Sequence, residues 1–151
     1  MEQDKNPLGI KGLHHLGIVP RDLVQAKWFF SQVLSLPFLG SEDVSKQGVS
    51  THVYQTSLDK SASPNQGRVE LLESLNREGV IAQFLEKKGG GIHHLAIEVE
   101  NIERLIENLK GHKIEFIGEK PGQGTHQTKV IFVHPRSTGG ILVEFVEALP
   151  S

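Results

Sequence analysis

The chain has 151 residues, a formal net charge of −2 and no cysteine. The missing cysteine excludes a disulfide scaffold, a thiolate zinc ribbon and thiol catalysis. The near-neutral charge excludes a basic nucleic-acid footprint, and no apolar run approaches the roughly 20 residues of a membrane span. Eight histidines remain, so metal chemistry through imidazole nitrogen stays open.

The opening MEQDKNPLGIKG is polar and has no apolar h-region, so no secretory signal is expected and the expected location is the cytoplasm. Leu13 to Val19 alternates in the manner of a strand. Asp22 follows as a helix N-cap with Gln25 three residues on, and Leu23, Ala26, Phe29, Phe30 and Val33 recur at helical spacing until Leu36-Pro37 ends the helix. Strand-like segments are expected at Phe38 to Ser41, Val49 to Gln55 and Arg68 to Glu73, with a polar loop at 59–67 between the last two. A short amphipathic helix over Val80 to Lys87 leads to a Gly89-Gly90-Gly91 hinge. Ile92 to Val99 is then a strand, and Asn101 caps a helix whose apolar face is Ile102, Leu105, Ile106 and Leu109. Strands at Ile114 to Gly118, Thr128 to Val133 and Gly140 to Val146 complete the chain.

This order is β-α-β-β-β, twice. Gly12-Leu13-His14-His15-Leu16-Gly17-Ile18 reads like Gly91-Ile92-His93-His94-Leu95-Ala96-Ile97, and Val69-Glu70-Leu71-Leu72-Glu73 reads like Val143-Glu144-Phe145-Val146-Glu147. The sequence is therefore read as an α+β chain in which two modules, about 12–73 and 91–147, make one domain. Alternation along a strand puts His15 beside Gly17 and His94 beside Ala96, facing open space. His14 and His93 share the opposite, branched-apolar face with Leu16, Ile18, Leu95 and Ile97, as structural histidines do. Glu70 and Glu144 stand opposite apolar neighbours and need a partner if buried. Any one of these residues alone reads as a half-exposed polar position. The repetition of one His and one Glu in each copy points instead to a metal site of His15, Glu70, His94 and Glu144. Such a set suits a divalent Zn, Co, Ni, Mn or Fe ion and leaves an octahedral ion two open positions. His52, His112, His126 and His134 have no counterpart in the other copy and are read as surface or loop residues.

The duplicated module with one His and one Glu per copy resembles the vicinal-oxygen-chelate superfamily, and within it the methylmalonyl-CoA epimerase family. The residues that carry this are His15-Leu16-Gly17-Ile18 with Asp22-Leu23 and Ala26, Gln47-Gly48-Val49, Val69-Glu70-Leu71-Leu72, Ile81 to Leu85 through Gly91-Ile92-His93-His94, Phe132-Val133-His134-Pro135-Arg136, and Gly140 to Glu144. They span almost the whole chain. Departures are Arg136 where the family usually has Lys, Ser74 where Pro is common, and a longer 59–67 loop.

The resemblance implies a curved mixed sheet around a metal-binding cavity. It also implies inversion at C2 of a 2-methylmalonyl thioester through a metal-stabilised enolate. Glu144 is then the expected base. Arg136 and Ser137 are expected contacts of the coenzyme A thioester, whereas Lys129 is read as a surface charge. The second acid–base group is not evident. The inward positions Val49, Thr51 and Val53 carry no carboxylate where some family members have one near Thr51. Related proteins are commonly homodimers. Two other readings share the fold. A glyoxalase I-type lactoylglutathione lyase would use the same metal set, but this chain lacks that family's Asp-Pro-Asp-Gly segment. A non-catalytic ligand-sequestering protein would ordinarily lack the ligands kept here.

Overall fold

The computed structural model describes residues 5–59 and 67–150. Residues 60–66 of the expected polar insertion lie outside the described residues. The chain divides into two compact units, one of residues 15–94 and one of residues 1–14 with 95–151. Both are α+β.

The first unit follows the β-α-β-β-β order. It contains most of β1 (Ile10–Val19), then α1 (Leu23–Trp28), β2 (Phe38–Val44), β3 (Val49–Gln55), β4 (Arg68–Ser74) and α2 (Val80–Lys88). β2–β3 and β3–β4 are antiparallel, and β4 is parallel to β1 with Gly17 opposite Glu70. The Asp22 carboxylate accepts from the Gln25 amide at 3.0 Å, as the capping signal requires. The expected single helix instead widens after Trp28 into a π-helical turn over Phe29–Val33, where the Leu34 amide donates to the Phe29 carbonyl. The cause is tertiary. The turn brings Phe30 onto the fully buried Tyr54 ring and lets Ser31 Oγ donate to the Tyr54 hydroxyl at 3.0 Å. Tyr54, Val69 and Leu71 form one core with Ile18, Leu23, Ala26 and Leu36 under α1. On the other face Val19, Val49 and Leu72 are covered by Ile81 and Phe84 of α2.

The second unit carries the remainder of β5 (Gly91–Val99), then α3 (Ile102–Leu109), β6 (Phe116–Gln123), β7 (Thr128–Val133) and β8 (Val143–Ala148). β5–β8 is parallel, and β8–β7 and β7–β6 are antiparallel, so its topology repeats that of the first unit. Asn101 accepts from the Arg104 amide at 2.9 Å. Ile102 and Leu105 of α3 are fully buried against Val99, Ile131, Val133 and Phe145. β8 starts at Val143 rather than Gly140, because Gly139 and Gly140 take left-handed backbone angles in a turn closed by Thr138. β6 begins at Phe116, later than expected, and runs on through Pro121; it pairs with β7 alone in this unit, where an edge strand tolerates proline. No helix among the described residues is long and apolar enough to cross a membrane.

Candidate metal centre

Strand register assembles the first half of the predicted site. β1 and β4 run parallel with Gly17 opposite Glu70, and this sets His15 next to the Glu70 carboxylate on the same face. His15 Nδ1 lies 2.7 Å from Glu70 Oε2. The other nitrogen of the ring, Nε2, lies 3.0 Å from His94 Nε2, with the two rings edge-on. His15, Glu70 and His94 are all buried. An ionised carboxylate accepts only, so a neutral His15 that donates Nδ1–H to Glu70 keeps its lone pair on Nε2. His94 is contacted on its second nitrogen by His93, Nδ1 to Nδ1 at 3.0 Å.

Burial is the main reason that the His94 pKa is pushed down to about 3, with the neighbouring His15 and His93 adding to the shift and Glu70 opposing it. A neutral imidazole is the form that ligates metal. The 3.0 Å between the two Nε2 atoms also matches two ligands at right angles on a divalent ion with bonds of about 2.1 Å. In this unit the His15 ring thus stands between two buried groups of metal-ligating type, the Glu70 carboxylate at Nδ1 and the His94 imidazole at Nε2.

Gly17 makes room for this arrangement. A Cβ at position 17 would lie 2.1 Å from His94 Cε1 and 2.5 Å from its Nε2. The small residue expected beside His15 is thus required by the incoming ring.

Glu144 lies on β8, buried, opposite Ala96 of β5 and Phe132 of β7. His14 is buried, and His93 is half-buried with its ring edge-on to Phe84. Arg136 and Ser137 sit in the short helical turn after β7. The Arg136 guanidinium is exposed, 3.6 Å from Glu115, and Ser137 Oγ accepts from the Glu115 amide at 2.9 Å. Lys129 pairs with Glu103 at the surface. Thr51 is buried, and its hydroxyl donates to the Glu42 carbonyl at 3.3 Å.

His52 corrects the reading of it as a surface or loop residue. It is buried on β3, where its Nδ1 meets Ser41 Oγ at 2.7 Å and its Nε2 meets Glu73 at 3.2 Å. Its even position on β3 turns it to the face opposite Glu70, and cross-strand partners there satisfy both ring nitrogens. The alternation of β3 carried that signal, although its partners did not.

Comparison with known proteins agrees with this architecture. Residues 14–132 match the Glyoxalase/Bleomycin resistance protein/Dioxygenase superfamily. The uncharacterized protein YqjC of Bacillus subtilis is 34% identical over 89% of this chain and 91% of its own length. The mitochondrial methylmalonyl-CoA epimerase of Homo sapiens is 37% identical over 90% of this chain and 73% of its own. The crystal structure of methylmalonyl-CoA epimerase from Mycobacterium tuberculosis superposes with a TM-score of 0.82 at 29% identity, covering 94% of this chain and 91% of that one.

Proposed function

Because the chain belongs to the Glyoxalase/Bleomycin resistance protein/Dioxygenase superfamily, we propose that it interconverts the 2R and 2S forms of methylmalonyl-CoA. The observation that carries the reading is its 37% identity to the human epimerase across nine-tenths of the chain. The buried His15–Glu70–His94 cluster supports it.

The proposed ligands of a divalent ion (Co, Zn, Ni, Mn or Fe) are His15, Glu70, His94 and the repeat counterpart of Glu70, Glu144. Such an ion supplies Lewis acidity to the oxygens beside C2, where negative charge develops as the proton leaves. In the arrangement described above Glu70 accepts from His15 Nδ1 and orients the ring whose Nε2 faces His94, so for Glu70 to ligate the same ion its carboxylate must leave Nδ1. Glu144 is the proposed base at C2. Arg136, exposed after β7, and its neighbour Ser137 are proposed contacts of the thioester's carboxylate or phosphates. A homodimer in the cytoplasm is the proposed working form.

The test is incubation of the purified protein with a single epimer of methylmalonyl-CoA in deuterated water. Loss of optical purity with deuterium entering at C2 is expected. A protein that leaves both epimers unchanged but converts a glutathione hemithioacetal would make the lyase reading correct instead.

A further inference from the structure

β3 carries a histidine that the metal chemistry does not use. His52 pairs with Leu71, one position along from Glu70, so alternation turns it to the sheet face opposite the His15–Glu70 cluster. On that face Ser41 of β2 stands directly across from His52, and Glu73 of β4 lies one diagonal step away, opposite Ser50. The three side chains meet. Ser41 Oγ lies 2.7 Å from His52 Nδ1, and His52 Nε2 lies 3.2 Å from Glu73 Oε2.

The direction of these bonds follows from the groups. An ionised Glu73 only accepts, so a neutral His52 that donates Nε2–H to it keeps its lone pair on Nδ1. That lone pair accepts from the Ser41 hydroxyl. A hydroxyl held by a base whose second nitrogen is held by a carboxylate makes a nucleophile, a base and its orienter. Burial is distributed as such a set requires. The His52 ring is buried, whereas Ser41 is exposed and open to an incoming carbonyl.

The edge of the sheet adds two further parts. In this unit β2 pairs with β3 alone. The Gln55 amide donates to the Pro37 carbonyl, so the odd-numbered residues of β3 address β2, where their partners are Gly40, Glu42 and Val44. Ser41, between them, turns its own amide away from β3 to the open side of the strand. The nucleophile's own amide is one of the oxyanion donors in serine proteases. Beside this row Phe38 rests on Tyr54, with ring centroids 5.1 Å apart, and stays half exposed. It offers an apolar wall to an acyl or aryl group.

We propose that Ser41, His52 and Glu73 form an acyl-transfer site that hydrolyses small activated esters. It is separate from the His15–Glu70 cluster and independent of the epimerase reading. Ser41 and His52 act on the ester, and Glu73 positions His52. Ser41 Oγ bonds to the ester carbonyl carbon, its proton passes to His52 Nδ1, and the carbonyl pair moves onto oxygen. As that pair returns, the bond to the alcohol oxygen breaks and the leaving alcohol takes the proton from His52. Water then attacks the acyl-serine and gives a proton to His52, which returns it to the departing Ser41 oxygen. One ester and one water become one alcohol and one acid.

The experiment follows hydrolysis of p-nitrophenyl acetate by the full chain, with mass spectrometry of the peptide that carries Ser41. A burst of p-nitrophenol and an acetyl group on Ser41 are expected, and Ser41→Ala should lose both. His52→Ala should slow acetylation by about 100-fold or more, and added imidazole should restore part of the rate. Glu73→Gln should slow it as well, and Glu73→Asp should recover part of the loss, which a purely structural carboxylate would not do. Chelator treatment should leave the rate unchanged. Melting temperature shows which variants are folded, and His52→Gln replaces His52→Ala if the latter is not. Absence of acetyl-Ser41 in the wild-type protein overturns the proposal. So does acetylation at the wild-type rate in a folded His52 variant, or a burst that survives in Ser41→Ala.

Discussion

A methyl group at position 17 would occupy the space of the His94 ring, 2.1 Å from Cε1. Gly17 is not among the glycines with a left-handed backbone, so the cost of Gly17→Ala is steric rather than conformational. Either the ring moves or β1 does. Overpacking of this kind costs about 1–3 kcal/mol. Because the displaced group is a proposed ligand, metal affinity should fall at least tenfold, a loss greater than the destabilisation alone would bring. Metal titration followed by calorimetry tests this, and unchanged affinity would mean that His94 does not ligate. Gly17 also illustrates how far the site is legible in the sequence. The alternation of Leu13 to Val19 is enough to put His15 and Gly17 on one face. It carries no register between strands, so the clasp of Glu70 on His15 Nδ1, the link from His93 to His94, and the contact of Ser41 with His52 emerge only once the strands are paired.

At the level of elements, the first helix of each module separates local information from tertiary information. Asp22 and Asn101 cap their helices with their own side chains, and a signal carried by four adjacent residues is readable in sequence. The π-helical turn after Trp28 was not readable, because its cause is a tyrosine on β3 more than twenty residues away. The ends of β6 and β8 shifted for a similar reason: the glycine turn and the edge pairing that set them are products of the folded hairpins. α3 shows what holds such an element in place. Leu105 is fully buried between β7 and β8 residues, so Leu105→Ala should destabilise by about 2–5 kcal/mol. Val24 of α1 is 80% exposed, and Val24→Ala should change stability by less than about 0.5 kcal/mol. Urea unfolding of both variants measures the difference. Equal effects would mean that the α3 face is not the core described.

For the whole molecule, the balance of charge hides a local excess. The net charge is only −2, yet Glu70, Glu98 and Glu144 are buried while no lysine or arginine is buried among the described residues. Buried carboxylates cost free energy unless paired. Lys11 approaches Glu98 at 3.9 Å, and His15 Nδ1 lies 2.7 Å from Glu70. A divalent ion would offset part of this cost, so metal should act as a folding ligand as well as a catalytic one. A ligand at one hundred times its dissociation constant stabilises by about 2.7 kcal/mol. For a chain of this length that corresponds to a rise in melting temperature of about 5–10 °C. Adding a divalent ion to chelator-treated protein should produce that rise, and chelation should reverse it. His94→Ala should abolish the rise, whereas His93→Ala, which removes a ring packed on Phe84, should lower the starting temperature and keep the response. A metal-dependent rise that survives in His94→Ala would put the ion at other residues, and the proposed set of ligands would have to be abandoned.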